Sequence, residues 1–147
     1  MSTKYRENLA NQARELFFHG YNSYMTYAYP EDELMPISCR GRQRGREVSR
    51  GDIDDVLGRY SLTLVDSLDT LALLGNRQQF YTAVRLVIAH VKFDADLVVS
   101  VFEVNIRMIG GLLGAHAVLV EFKKQADKNH NQDVFLLRLF FYETGLK

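Results

Sequence analysis

The chain has 147 residues, of which 47% are hydrophobic, so it is long enough for one domain with a sizeable core and is not a largely disordered protein. Its 18 Lys and Arg residues balance 18 Asp and Glu residues, and nothing in this zero net charge favours nucleic acid or an anionic membrane as a partner. The single cysteine, Cys39, has no partner for a disulfide within the chain, which leaves a free thiol or a thiol partner from outside.

Residues 4–27 have the spacing of a first helix. Apolar side chains recur there every three or four residues, which is the period of an amphipathic helix. Ser2 or Thr3 can cap its start, and Pro30 ends it because the residue before a proline is pushed out of helical geometry. Met1 leads directly into this charged segment without an apolar stretch, so we expect no signal peptide.

The stretch from residue 30 to residue 51 is predicted to be a long ordered loop. It contains both prolines of the chain, and glycines and serines stand between its charged residues. Loops of this length tend to be functional or disordered. Its basic run, Arg40–Arg46, is interpreted either as a solvated loop or as a contact surface for an anionic or sugar ligand.

Two further helices are predicted after this loop. The second helix starts around residues 52–55, whose acidic side chains favour a helix N-terminus, and it stops at Gly75-Asn76. The third helix covers residues 77–91, with an apolar inner face. Residues 93–96 then form a turn whose aspartates cap the next helix.

The fourth helix is predicted to cover about 97–124. A polar break follows at 126–131. The apolar segment after this break fits either a short helix or a strand. The chain is therefore expected to be all-α, with two consecutive helical hairpins and a tail, which is the order of an α/α toroid or a solenoid. Because Glu103, Asn105 and Arg107 interrupt the apolar run, we expect no membrane-spanning segment.

One stripe of the fourth helix carries a charge pair. Glu103 and Arg107 are four residues apart and share a face with Gly110, Gly111 and Gly114. The rest of the helix is apolar, which predicts that it is buried. Burial and a nearby arginine shift the pKa of a carboxyl group in opposite directions, a balance that suits a general acid near neutral pH. The alternative is an ion pair that only orders the core.

The second helix carries two aspartates one turn apart, Asp66 and Asp69, among leucines. Carboxylates in an apolar setting need a partner such as a cation, a sugar hydroxyl or an arginine. A purely structural arrangement is the alternative: Asp69 would then bind Ser or Thr hydroxyls, and Asp66 would pair with Arg59 or Arg107.

Three stretches together resemble one family. Residues 24–36 read YMTYAYPEDELMP, residues 60–71 read YSLTLVDSLDTL, and residues 101–116 read VFEVNIRMIGGLLGAH. In this order and spacing they resemble the class I α-1,2-mannosidases, glycoside hydrolase family 47. The resemblance is strongest to the endoplasmic reticulum (ER) degradation-enhancing α-mannosidase-like proteins, and it extends over roughly residues 10–120.

The resemblance implies a fold and an activity. The fold is an (α/α) barrel of seven helical hairpins, and the activity is calcium-dependent, inverting hydrolysis of terminal α-1,2-linked mannose on high-mannose N-glycans. In this subgroup, trimming marks misfolded glycoproteins for ER-associated degradation, which implies a location in the endoplasmic reticulum. The calcium ligand is expected outside this chain.

Residue roles follow from the same resemblance. It implies that Glu103 is the catalytic acid and Asp66 an active-site aspartate. It implies that Arg107 contacts the sugar, and that Asp69 and Glu33 are further motif acids at the substrate. Subgroup members also have a cysteine at the position of Cys39, which can pair with a distant cysteine.

The family barrel is several times longer than this chain. The general base and the calcium-binding threonine are expected in the family's later hairpins, so residues 1–122 are predicted to be an N-terminal part of the barrel and residues 123–147 a divergent tail. We therefore expect the isolated chain to be inactive. The alternative function is that of a non-catalytic fragment that binds glycoproteins or chaperones.

Overall fold

A computed structural model of the chain describes residues 1–128, with side-chain environments to residue 125. These residues are mostly helical, as predicted for an all-α chain. The helices are α1 (Thr3–Tyr27), α2 (Leu62–Asp66), α3 (Leu68–Leu74), α4 (Arg77–His90), α5 (Val101–Val104) and α6 (Gly110–Lys128), with a 3-10 helix at Gly51–Val56 and a π-helical segment at Asn105–Ile109. The apolar end of the predicted tail lies outside the described residues.

The first helix begins and ends as predicted. The Ser2 hydroxyl accepts a hydrogen bond from the Tyr5 backbone N–H at 3.3 Å, which caps the N-terminus. Near its other end, Tyr24 is buried and donates its hydroxyl hydrogen to the Glu31 carbonyl oxygen at 2.7 Å. This contact holds the start of the following loop against the helix.

The loop after α1 contains a short antiparallel pair of strands, β1 (Leu34–Met35) and β2 (Arg40–Gly41). The sequence pattern indicated no strand here, because two residues are too few to show alternation. Gly41 is required at this position, since a Cβ atom there would lie 2.7 Å from the Ala28 carbonyl oxygen. The pairing folds the loop back towards the end of α1.

The predicted second helix is not continuous. The 3-10 helix Gly51–Val56 is separated from α2 by a turn in which Arg59 (φ +60°) and Ser61 (φ +53°) have left-handed backbone conformations. Such conformations cost energy for residues with a Cβ atom, and the surrounding structure must hold them. A second interruption at Ser67 separates α2 from α3.

The buried Asp32 carboxylate holds this turn. It is 3% exposed and accepts backbone N–H hydrogen bonds from Arg59 (2.7 Å), Tyr60 (2.9 Å) and Leu62 (3.0 Å). The Asp32 carbonyl oxygen also accepts the Thr63 N–H at 3.0 Å. The side chain thus supplies acceptors to amides that a continuous helix would have satisfied internally, which explains why the helix breaks here.

The third predicted helix is confirmed as α4. Asn76 and Gln79 form a capping box, in which the Asn76 side chain accepts the Gln79 N–H at 2.9 Å and the Gln79 side chain accepts the Asn76 N–H at 3.0 Å. Its inner face joins α2, α3 and α6 in the core. The fully buried members of that core include Leu64, Val65, Leu68, Leu71, Phe80, Val84 and Leu119.

The last helical region begins at Val101, four residues later than predicted. Ser100 caps it, since its hydroxyl accepts the Glu103 N–H at 3.4 Å, and the aspartates at 94 and 96 do not. Helical structure continues to Lys128, so the polar break expected from residue 126 is not present up to that residue. The π-helical segment between α5 and α6 left no mark in the sequence pattern.

The expectation that this helix is buried all round is wrong. Met108, Ala115 and Leu119 are fully buried, but one apolar stripe faces outward. At least half of each of the following residues on this stripe is exposed: Val101, Phe102, Ile106, Ile109 and Leu113. Val98, just before the helix, is exposed as well. The helix packs on α3 and α2 through one face, and no other described element covers the opposite face.

By length and composition, the stretch Val101–Gln125 is able to cross a membrane. The expectation that its charged residues exclude a membrane-spanning segment therefore does not hold on that criterion. A core helix of a soluble protein passes the same test when most of it is buried, but only 17% of this apolar stretch is buried, on the face against α3.

Candidate active site

Glu103 lies in the first turn of α5, next to the start of the helix. The Arg107 Nε atom donates a hydrogen bond to Glu103 Oε2 at 2.8 Å, so the four-residue spacing brings the pair together as predicted. The Glu103 side chain is 28% exposed. The carboxyl group is thus accessible to solvent, whereas the sequence pattern predicted a buried position.

Arg107 joins this helix to α2. Its Nη1 atom donates a hydrogen bond to Asp66 Oδ2 at 2.7 Å, and Asp66 is the last residue of α2. Of the two arginines considered as partners for Asp66, the structure selects Arg107. One guanidinium therefore bridges carboxylates from two helices, and the side chains of Arg107 and Asp66 remain 40% and 39% exposed.

Gly111 permits the close contact between these helices. A Cβ atom at Gly111 would lie 3.0 Å from the Val65 carbonyl oxygen, next to Asp66 in sequence. Gly114 lies opposite Asp69, where a Cβ atom would be 3.8 Å from the Asp69 Cβ. A Cβ atom at Gly110 would meet only the Asn105 carbonyl oxygen of the preceding turn, at 3.7 Å, so only part of the glycine stripe serves packing between helices.

The charges of this cluster are arranged around the arginine. Hydrogen bonds from its guanidinium to Glu103 and then to Asp66 raise the pKa of Arg107 above its ordinary value, and partial burial opposes them. Arg107 therefore stays charged, and the three side chains carry a net charge of −1 when both carboxyl groups are ionised. Because all three are open to solvent, a ligand is able to reach them.

Asp69 and Glu33 do not join the cluster. Asp69 is exposed, and its Oδ1 atom accepts the Thr70 N–H at 2.6 Å and the Thr70 hydroxyl at 3.3 Å. This is the threonine hydroxyl contact of the structural alternative. Glu33 pairs with Arg50 at 2.8 Å and with Arg42 at 3.6 Å. Substrate-binding roles for both acids stay predictions.

Two further residues that the sequence did not single out support the site. Asp32 holds the turn before α2, and Arg44 connects that turn to the segment before Glu103. The Arg44 Nη1 atom donates hydrogen bonds to the Val98 carbonyl oxygen at 2.6 Å and to the Leu57 carbonyl oxygen at 2.8 Å. Arg44 is one of four arginines that alternate along the chain, so nothing in the sequence distinguished it.

Among the side chains that the structure describes, up to residue 125, no three His, Cys, Asp or Glu residues converge in a way that could hold a metal ion. The carboxylates of the cluster face an arginine, which takes the place that a cation would occupy. The calcium requirement thus stays a prediction from the resemblance. Cys39 is exposed, and no disulfide forms within the described part of the chain.

Comparisons with known proteins agree with the resemblance. The profile described as Glycosyl hydrolase family 47 matches residues 16–139. Human ER degradation-enhancing alpha-mannosidase-like protein 3 is 54% identical over 127 residues, covering 86% of this chain and 14% of that protein. ER degradation-enhancing alpha-mannosidase-like protein 1 of Schizosaccharomyces pombe is 49% identical over 116 residues, covering 78% of this chain and 15% of its own length.

A plant relative extends the match. Alpha-mannosidase I MNS4 of Arabidopsis thaliana is 42% identical over 116 residues, covering 79% of this chain and 17% of that protein. The chain therefore spans only 14 to 17% of the length of these three relatives. The family match extends past residue 122, to residue 139. The predicted boundary between a barrel part, residues 1–122, and a divergent tail, residues 123–147, stays a prediction. The match over most of the chain shows that it belongs to glycosyl hydrolase family 47.

Proposed function

We propose that this chain supplies the acid side of an α-1,2-mannosidase active site that acts on high-mannose N-glycans. The observation that carries the proposal is the Arg107 guanidinium, which bridges Glu103 and Asp66 at a solvent-accessible point between two helices. All three residues lie within the family match. The family and the names of the relatives support a glycosidase, and the cluster offers the carboxyl groups that glycoside hydrolysis uses.

In this proposal Glu103 donates a proton to the leaving glycosidic oxygen, directly or through water. Asp66 fixes the Arg107 guanidinium, and the Arg107 Nε–H orients Glu103. The N–H groups of Arg107 that neither carboxylate accepts contact sugar hydroxyls. An inverting glycosidase needs a second carboxylate, about 6.5–9.5 Å from the acid, to activate the attacking water. We assign this base to the later hairpins of the family barrel.

The setting of the reaction is proposed from the relatives. Several are named as ER degradation-enhancing proteins, which supports a role in ER-associated degradation of misfolded glycoproteins. We propose high-mannose N-glycans of such glycoproteins as the substrate and the endoplasmic reticulum as the location. Calcium dependence is proposed on the family resemblance alone.

The proposal is tested in a chimera in which residues 16–128 replace the matching segment of a family member with measured mannosidase activity. Glu103→Gln keeps the size of the side chain and removes its ability to donate a proton. We expect mannose release from a high-mannose glycan to fall by about 10²- to 10⁴-fold, the usual contribution of a general acid. Release is measured by chromatography of the glycan products.

The matched control is Glu121→Gln, the same chemical change on an exposed glutamate of α6. This variant should release mannose at the rate of the parent chimera. Parent-like release by Glu103→Gln would contradict the assignment of the acid. A parallel assay of the 147-residue chain alone, with calcium added, should show no release above a no-enzyme control.

The second candidate is a non-catalytic module that binds glycoproteins or chaperones. The exposed apolar stripe containing Phe102, Ile106 and Ile109 favours it, because exposed apolar patches often mark interaction surfaces. In this case the chain alone would bind an unfolded glycoprotein. Phe102→Ser would then abolish binding, whereas Glu103→Gln would leave it unchanged.

A further inference from the structure

The basic run Arg40–Arg46 separates into arginines with and without acidic partners. Three of its four arginines form ion pairs within the loop region, and these pairs are Arg40 with Glu47 at 2.7 Å, Arg42 with Asp54 at 3.4 Å and Arg44 with Asp55 at 2.7 Å. Among residues 1–125, no carboxylate forms an ion pair with Arg46, which is exposed. Most of the run is therefore structural, and Arg46 is left with an uncompensated charge.

Arg59 is a second arginine without an acidic partner in the described part of the chain. Its side chain is exposed, and its Nη2 atom donates a hydrogen bond only to the Arg44 carbonyl oxygen, at 3.2 Å. Its left-handed backbone (φ +60°) is held by the buried Asp32, as described above. Strained conformations that the surroundings hold in place are concentrated at functional sites.

Both arginines line one cavity. It has a volume of about 580 Å³, and Arg44 and His90 also contribute to its wall. Glu31 is the one acidic side chain among its lining residues, and its Oε1 atom accepts a hydrogen bond from the Gln43 amide at 2.9 Å. Because Asp55 compensates Arg44, the charges left on the wall are those of Arg46, Arg59 and Glu31, which give it a net charge of +1.

We infer that this cavity binds a phosphate group, either as the free ion or as a phosphomonoester of a sugar. The planar guanidinium fork matches the oxygens of phosphate, and such charge-assisted hydrogen bonds are among the strongest in proteins. The volume lies in the range of small-molecule sites and exceeds what a bare phosphate fills, which leaves room for an attached group.

The inference does not depend on the proposed mannosidase function. Glu103, Asp66 and Arg107 do not line the cavity, and a neutral N-glycan carries no group that needs its charge. The contact between Arg44 and the Val98 carbonyl oxygen nevertheless connects one wall of the cavity to the segment that leads into α5.

Calorimetric titration of the 147-residue chain tests the inference with three probes at constant ionic strength. Inorganic phosphate and mannose 6-phosphate should bind, and neutral mannose should not. A tighter complex with mannose 6-phosphate identifies a phosphomonoester site, and equal affinities identify a site for the phosphate group itself. Failure of both phosphate probes to bind at about 10 mM overturns the inference.

Two variants locate the binding. Arg46→Gln and Arg59→Gln should each weaken phosphate binding about tenfold or more, as expected for loss of a charge-assisted hydrogen bond. Arg46 makes no side-chain hydrogen bond within the described residues, so its replacement leaves the fold intact. The control is Arg85→Gln, an exposed arginine on α4 that does not line the cavity. Equal losses in Arg46→Gln, Arg59→Gln and Arg85→Gln would show non-specific attraction and overturn the inference.

Discussion

Two groups of acidic side chains in this molecule differ in what satisfies them. Asp32 is buried, and three backbone amides donate hydrogen bonds to its carboxylate. Glu103 and Asp66 are partly exposed, and both receive their hydrogen bonds from a single arginine side chain. The Asp32 carboxylate supplies hydrogen-bond acceptors to the backbone of a turn, whereas those of Glu103 and Asp66 face solvent at the ends of helices.

This difference separates a structural carboxylate from candidate catalytic ones. Backbone donors cannot move away from Asp32, so its loss leaves several buried amides without an acceptor. An arginine side chain can exchange Glu103 or Asp66 for a ligand, and an exposed ion pair contributes little to stability. Substitutions at the two groups should therefore have opposite effects on folding and on activity.

The largest effect on folding is expected for Asp32→Ala. It removes the acceptor for the amides of Arg59, Tyr60 and Leu62 and should lower the free energy of unfolding by about 3–5 kcal/mol. Urea denaturation followed by circular dichroism measures the change. Asp69→Ala is the control, since Asp69 is exposed, and it should cost less than about 1 kcal/mol. Equal losses would show that the backbone hydrogen bonds of Asp32 do not make it more important for folding than an exposed aspartate.

An intermediate effect is expected where the helices of the Glu103 cluster touch. Gly110→Ala should stabilise the helix by about 0.5–1 kcal/mol, because alanine has the higher helix propensity and its methyl group would make only an ordinary contact, 3.7 Å from the Asn105 carbonyl oxygen. Gly111→Ala places its methyl group 3.0 Å from the Val65 carbonyl oxygen and should be less stable than Gly110→Ala by about 1–2 kcal/mol. Thermal denaturation compares the pair, and equal melting temperatures would contradict the close approach.

A small effect on folding is expected for Asp66→Asn. The Arg107–Asp66 pair is about 40% exposed on both sides, so its loss should change the free energy of unfolding by less than about 1 kcal/mol. Added salt should shrink this difference further, since screening weakens exposed ion pairs. Urea denaturation at low and high salt tests this. A loss as large as that of Asp32→Ala would assign Asp66 a structural role instead.

The smallest effect is expected for the ionisation of Tyr60, next to the Asp32 turn, which changes stability only at alkaline pH. Burial, together with the Asp32 charge, raises the pKa of Tyr60 to about 12 from an ordinary value of 10.0. The neutral phenol is favoured in the folded chain, so this stabilisation is complete below about pH 10 and is lost as the pH rises through about 12. Melting temperatures measured from pH 9 to pH 12 should fall less steeply for Tyr60→Phe than for the parent chain. Parallel curves would contradict the raised pKa.

The sequence predicted the elements that depend on local signals. Ser2 and Pro30 bound the first helix, and Asn76 with Gln79 marks the start of α4. The break before α2 was missed because its cause is distant in sequence: Asp32 binds amides about 27 to 30 positions further along the chain. The left-handed backbone conformation of Arg59 was not predictable from its residue type, since arginine has no preference for that conformation.

The residues of the candidate site were predicted from the sequence, but their exposure to solvent was not. The spacing of Glu103 and Arg107 was enough to predict their contact, and Asp66 was a correct alternative partner for Arg107. Burial was predicted wrongly because an apolar sequence does not say how many faces of a helix are covered. The exposed side chain of Phe102 shows this directly, since no other element of the described chain lies over it.

The central claim is that Glu103 is a catalytic acid and Asp32 a structural acid. It is tested most directly by measuring mannose release and unfolding free energy for Glu103→Gln and Asp32→Asn in the same chimera. We predict that Glu103→Gln lowers release at least about a hundredfold and changes stability by less than about 1 kcal/mol. Asp32→Asn should lower the free energy of unfolding by more than Glu103→Gln does. The molecules of this variant that remain folded should release mannose at the parent rate. Parent-like release by Glu103→Gln would contradict the account.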